Sequence, residues 1–417
     1  MALKHIGIAF AVLMAGSWLA ISRAQAPSPD APLRAGNLHV LSPADHDLFI
    51  RAFALAAKSD WAGAMALGNQ GQDTTARQLL QWRYALDRDS GAKFADVDDA
   101  LKMASGWPLR GTLYVRAEAD ITPDMAPAQI LQWFGSRAPS SPIGRVRLGE
   151  ALVATGDKSR GGTLIRQGWS EGSFDDATEA GILAQDGNVL TPESHRARLD
   201  GLVWRGEFTA ARRQIARVDS KSAALAQARM ALASGLPKAR AALARVSGSR
   251  DPSLLYDWSR ALRAANKDAQ AHAKLLQIEP GTLAKDHTQR WWNEVAIQAR
   301  DALMAGDPRL ALRLVEHAKI PVGDQYPDEQ FLAGFISLRF LKEPAQALTY
   351  FQRLGASVTR PISKSRAEYW QARAHEALGD PASAAGHYRL AAAYPDTFYG
   401  QLAIARTEAA PLLHLND

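Results

Sequence analysis

Three groupings in this chain have residue types that chemistry could use. Gly168-Trp169-Ser170-Glu171-Gly172 has the spacing of a nucleophile elbow, in which a strained strand-to-helix corner exposes a serine hydroxyl. Residues 163–167 before it continue an Ala/Gly/Leu helical run, so the spacing predicts a helix end with a capping turn. Glu193-Ser194 offers a carboxyl beside a hydroxyl. A carboxyl acting as general acid needs a cleft that keeps it protonated. Glu193 instead follows Thr191-Pro192, which predicts the first turn of a helix, where the dipole holds a carboxylate ionised. The ten histidines include no pair three to five residues apart, and His375-Glu376 lacks a second histidine one turn away. There is no cysteine, no phosphate loop and no G-x-G-x-x-G. On this reading no residue is catalytic, cofactor-binding or metal-ligating, and no cofactor is expected.

Two further features could bind. Arg196, Arg198, Arg205, Arg212, Arg213 and Arg217 form a basic stretch, either a solvated helix face or a patch for an anionic polymer. The aromatic pairs Trp291-Trp292, Tyr369-Trp370 and Phe398-Tyr399 are read as inter-helix core before ligand platforms.

The elements that must position these residues are helices. Ala runs such as 54–57 and 391–393 favour helix, and 47% hydrophobic with 22% charged residues is ordinary for a globular chain. An amphipathic stretch repeatedly ends in Gly or Asn with a polar residue before a second Ala-rich stretch. The turns are Gly156-Asp157, Gly206-Glu207, Asn266-Lys267, Gly306-Asp307, Lys342-Glu343 and Gly379-Asp380. The last three recur about every 36 residues, the period of a helical repeat. Ser42-Pro43, Thr191-Pro192, Asp251-Pro252, Asp307-Pro308 and Asp380-Pro381 each place a capping side chain before proline, which predicts helix starts. No long stretch alternates as a strand. A hairpin with apolar stripes on both helices cannot bury them alone, so neighbours must stack. The expected fold class is all-α, an α-superhelix or solenoid of tetratricopeptide-like hairpins, U- or ring-shaped.

At the N-terminus, Lys4 and His5 precede an apolar run over 6–21 and then small residues, the order of a secretory signal peptide. The run is short for a membrane span, which needs about 20 residues. The expected organisation is a signal peptide over 1–26, a polar leader over 27–40, the helical-repeat domain over 41–410 and a tail over 411–417. Loss of 1–26 removes Lys4 and Arg23 and no acid, taking the net charge from +6 to +4. Export without cysteine points to a Gram-negative periplasm, with no nucleic-acid partner and no membrane contact after cleavage.

Specific runs then add a resemblance. Gln289-Arg290-Trp291-Trp292-Asn293-Glu294, Ala305-Gly306-Asp307 and Ala333-Gly334-Phe335-Ile336 with Leu338-Arg339-Phe340 are the first. Pro361-Ile362-Ser363-Lys364-Ser365-Arg366-Ala367 with Tyr369-Trp370 follows. Tyr394-Pro395-Asp396-Thr397-Phe398-Tyr399-Gly400-Gln401-Leu402-Ala403 closes the series. Upstream, Leu190-Thr191-Pro192-Glu193-Ser194-His195, Leu199-Asp200 and Leu202-Val203-Trp204 belong to the same pattern. Together they resemble the superhelical U-shaped domain of soluble lytic murein transglycosylases, over most of the chain and weakest before Leu148.

The resemblance implies an envelope protein of peptidoglycan metabolism. The family cleaves between N-acetylmuramic acid and N-acetylglucosamine and leaves a 1,6-anhydro end. It does so with a lysozyme-like domain carrying Glu-Ser and Gly-Leu-Met-Gln motifs. Gly-Leu-Met-Gln does not occur here, so the expectation is a helical part without the catalytic domain. Such a part would hold or orient peptidoglycan glycan strands, or contact other envelope proteins. The alternative is a stand-alone tetratricopeptide-like periplasmic scaffold that binds proteins.

Overall fold

The computed structural model describes residues 41–407, apart from 104 and 284–286. The expected signal peptide, leader and tail lie outside the described residues, as do the last positions of the 41–410 repeat domain. Among the described residues there are 22 α-helices, one short 3-10 turn, one π segment and no strand. The all-α fold class is therefore correct.

Local rules account for the helix boundaries. All five expected capping residues sit at the N-cap and accept a backbone N–H with the side chain: Ser42, Thr191, Asp251, Asp307 and Asp380. Each is followed by proline in the first turn. The six expected hairpin turns all carry a residue with positive φ: Gly156, Gly206, Asn266, Gly306, Lys342 and Gly379. In five of them the next amide reaches back five residues to close the helix, as Asp157 N–H does to the Leu152 carbonyl and Asp380 N–H to that of His375. The Lys342 turn differs. There the Glu343 amide reaches back six residues to Ser337, across the π segment Ser337–Leu341. One extra residue is absorbed as a π turn instead of breaking the hairpin.

The chain divides into two compact units, residues 1–117 and 118–417. The first is described from residue 41. It packs Phe49, Ala52, Trp61, Ala64 and Leu80 into a small core between Pro43–Ala56, Trp61–Gly68 and Thr74–Leu86. The second unit carries a succession of cores. Trp169 with Val146, Ile165 and Ile182 forms one, and Leu199 with Ala211 and Met230 another. A larger one runs from Trp204 through Tyr256 and Trp291 to Leu332, and one around Trp370 closes the series. Consecutive helices pack as hairpins, the arrangement that makes stability nearly a sum of neighbour contacts.

One close helix crossing explains a glycine series. Pro142–Ala154 and Lys158–Glu171 meet backbone to backbone at Gly149 and Gly161. A Cβ on Gly149 would lie 2.7 Å from the Gly161 carbonyl oxygen, and one on Gly161 would lie 2.6 Å from that of Gly149. A Cβ on Gly168 would lie 2.5 Å from the Pro142 carbonyl oxygen. The first glycine of the apparent nucleophile elbow is thus a helix-packing residue. Gly161→Ala should therefore force the two helices apart and cost about 2 kcal/mol, read as a lower denaturation midpoint at unchanged m-value.

Candidate functional site

Ser170 does not occupy an elbow. It lies in the last turn of Lys158–Glu171, its hydroxyl donates to the Arg166 carbonyl, and its neighbour Trp169 is fully buried. Glu193 occupies the first turn of Pro192–Arg205 and is exposed. Its carboxyl is held below the usual range, first by its own backbone amide, then by the Thr191 hydroxyl and Arg196. Its partner in the motif is consumed locally. Thr191 and Ser194 cap each other reciprocally, Oγ1 accepting from the Ser194 amide and Ser194 Oγ from the Thr191 amide. Glu193 stays charged at neutral pH, the wrong form for a general acid.

The arginine stretch divides: Arg205 and Arg212 are exposed, as a solvated face requires, whereas Arg198, Arg213 and Arg217 converge on Glu179 inside the fold. Arg198 is completely buried. Its guanidinium carbon lies 3.9 Å from the Trp169 ring centroid. Its nitrogens donate to the Gly172 carbonyl, to Gln214 Oε1 and, at 3.0 Å, to Glu179 Oε2. Glu179 is also buried and receives Arg213 at 3.0 Å and Arg217 at 3.2 Å. Arg213 reaches further to Asp176 at 2.7 Å. His195 stands beside this group. The Trp169 indole donates to His195 Nδ1 at 3.2 Å, so that nitrogen is an acceptor and the imidazole proton sits on Nε2. Burial, then Arg217 and Arg198, hold His195 below its usual range and keep it neutral. Arg196 pairs with Glu193 at 2.7 Å and Arg205 with Glu207 at 3.0 Å. Among the described residues, Arg212 alone of the six has no carboxylate within ion-pair distance.

One carboxyl has acid-like character. Asp186 is 5% exposed and lies close to Glu150. Burial, with Glu150 second, pushes it up to about 7, against the opposing pull of Arg147. Arg147 already holds Glu150 with two contacts of 2.9 and 3.0 Å. One guanidinium thus serves two carboxyls, and a proton on Asp186 relieves the imbalance. Among the described residues, no group of three or more His, Asp or Glu side chains is arranged to hold a metal ion.

The aromatic pairs divide. Trp291, Trp292, Tyr369 and Trp370 are core residues, whereas Phe398 is 60% exposed. The run that includes Phe398 has a clear structural logic. Thr397 Oγ1 accepts the Gly400 amide and donates to the buried Ser365 hydroxyl at 2.8 Å. Gly400 lies so close to the Tyr394 carbonyl that a side chain has no room. Residues 361–367 and 394–403, two runs of the resemblance, therefore meet.

In fold the chain is similar to the crystal structure of an inactive mutant of the lytic transglycosylase Slt from Pseudomonas aeruginosa. The match has 20% identity and a TM-score of 0.53, over 87% of this chain and 58% of that one. The chain thus spans 58% of the length of that protein. The Cut9–Hcn1 hetero-tetramer of the APC/C aligns over 88% of this chain and 84% of that one, at 14% identity, with a TM-score of 0.26, too low to carry an argument. No protein-family model matches the chain, and no curated protein matches it in sequence. The likeness to Slt is one of fold. No described helix is long and apolar enough to cross a membrane.

Glu179 carries no local sequence signal, because its three arginine partners lie 19 to 38 positions away. The run 220–250 does carry one: it holds six basic residues and no acid.

Two outcomes follow from these clusters. Glu179→Gln leaves three arginines facing a neutral amide. It should cost about 3 kcal/mol, seen as a lower thermal midpoint by circular dichroism. Asp186 binds its proton in the folded state up to about pH 7 but releases it near 3.8 when unfolded. Its contribution is therefore fully present at low pH and is lost as pH rises from about 4 through 7. Asp186→Asn should raise the thermal midpoint relative to the parent at pH 8, with the difference shrinking toward pH 4.

Proposed function

We propose that this chain works in the cell envelope as the helical part of a lytic transglycosylase-like system, holding peptidoglycan strands while cleavage occurs elsewhere. The observation that carries this reading is the fold likeness to Slt over 87% of the chain. Two runs of the family resemblance, 361–367 and 394–403, lie against each other through Thr397 and Ser365. A repeat fold of paired helices offers extended surface, which suits a polymer better than a small substrate. In this reading residues 1–26 direct export to the periplasm and residues 41–410 do the holding.

Cleavage of the glycosidic bond needs a protonated carboxyl reaching an open groove. Glu193 is exposed and ionised, and Asp186 is enclosed against Glu150 and Arg147. The holding role therefore does not include cutting by these groups. The purified chain should co-sediment with peptidoglycan sacculi at low salt and less so as salt rises. It should release no 1,6-anhydromuropeptides detectable by mass spectrometry, and Glu193→Gln should behave identically. Failure to co-sediment at low salt would leave the protein-binding scaffold as the better reading. Anhydro products above a no-protein control would reveal a catalytic group.

A further inference from the structure

The hairpin formed by Ser220–Ala233 and Leu236–Arg245, with the turn that follows, carries an unusual charge distribution. Residues 220–250 contain Lys221, Arg229, Lys238, Arg240, Arg245 and Arg250 and no Asp or Glu. Arg229 is buried and is neutralised from outside the run, by Asp200 and by Asp257 at 2.7 Å. The other five are exposed. Among the described residues none of the five forms an ion pair, and Arg245 alone of them has a side-chain hydrogen bond, donated to Gln227 Oε1 at 3.5 Å.

The geometry keeps these cations available. Ala239 is buried and Ala242 and Leu243 are half-buried, so the second helix docks by that side. Lys238 and Arg245 are seven residues apart, two turns along one line of the helix, and Arg240 flanks the opposite edge. Between them the solvent side shows Ala241 and Ala244, both exposed and too short to screen a neighbouring charge. Arg245 and Gln227 tie the end of the second helix to the first, so Lys221 near the first helix's start stands at the same end. Elsewhere in the second unit several exposed arginines are neutralised locally, as Arg205 is by Glu207 and Arg309 by Glu343, whereas residues 220–250 contain no acid that could do so. Unpaired, closely spaced cations raise the local potential and attract a polyanion.

We infer that Lys221, Lys238, Arg240, Arg245 and Arg250 form a docking surface for a chain bearing regularly spaced carboxylates. Under the function proposed above, on which the identity of the natural partner rests, those carboxylates belong to the peptides of the cell wall. The surface replaces the Arg196–Arg217 stretch, whose charges are largely committed to carboxylates within the protein.

The test compares the full chain with two variants of equal net charge. One changes the five surface cations to Gln. The other changes Lys58, Lys158, Arg160, Lys267 and Lys319, exposed cations elsewhere in the chain, to Gln. Circular dichroism checks that both fold. Binding is measured to poly-L-glutamate, to sacculi and to phosphatidylglycerol vesicles over a salt series. The surface variant should lose about tenfold in affinity for poly-L-glutamate, several exposed charges acting together, while the control loses far less. Equal losses in both variants would show that net charge alone is responsible and would overturn the inference. So would tighter, strip-dependent binding to vesicles than to poly-L-glutamate. If the strip binds poly-L-glutamate but the parent ignores sacculi, the docking surface stands and the peptidoglycan reading falls. If both variants bind sacculi as the parent does, the peptidoglycan reading stands and this surface falls.

Discussion

A single buried carboxylate organises the middle of the second unit. Glu179, on Asp176–Asp186, draws Arg198 from Pro192–Arg205, Arg213 from Phe208–Gln214 and Arg217 from the short turn beyond it. Arg198 sits over the ring of Trp169 on Lys158–Glu171, so the group reaches a further helix. Burying one carboxylate and a full guanidinium is costly, and the cost is offset only when each polar atom finds a partner at good geometry. Arg198 meets that condition with the Gly172 carbonyl, Gln214 and Glu179. An apolar core tolerates sliding between helices, whereas this group has one arrangement that satisfies it. It therefore fixes the register of successive hairpins, while Trp169, Ile165 and Ile182 supply the burial.

The same logic recurs with other residues along the chain. Glu118 is completely buried and accepts Arg137, the Ser140 and Ser141 amides and the Ser141 hydroxyl. Glu294 takes Arg263 through two contacts of 2.7 and 2.9 Å. Arg229 bridges Asp200 and Asp257 and stacks near Trp204. Each joins helices that are not sequence neighbours, by 19 to 31 positions. Asp186 with Glu150 departs from the pattern, since two acids share one arginine, and a proton supplies the missing charge.

What the sequence made legible is what short-range physics decides. A cap before proline and a left-handed residue at a hairpin turn act within a few positions, and Thr191, Asp307, Gly206 and Gly379 all behave as their types require. Even Lys342, which lacks glycine's freedom, turns at positive φ because the hairpin needs it there. The π segment before it was not legible, because one additional residue leaves the apolar pattern nearly unchanged. Nor was the fate of the arginines. A run of basic residues on paper carries no record of Glu179, which lies well upstream and joins them only through the fold. Phe398 was expected in the core with Tyr399, but adjacent helical residues point about 100° apart, and only Tyr399 turns inward.

These charges sort into two populations with different consequences. Those inside the repeat stack, Arg198, Arg229 and Arg263, are matched to carboxylates and cannot be moved without loosening the hairpins. Those on the outer side of the 220–250 hairpin touch almost nothing. In a stack held by neighbour contacts, such residues can change with little effect on stability. Leaving five cations unmatched still raises the energy of the folded state through mutual repulsion, and a single acid would relieve it, as Glu193 does for Arg196. Ala241 and Ala244 occupy places where such an acid would fit, and they provide neither charge nor hydrogen bond. The repulsion is relieved instead when an anionic chain binds, so the missing acids favour the bound state over the free one.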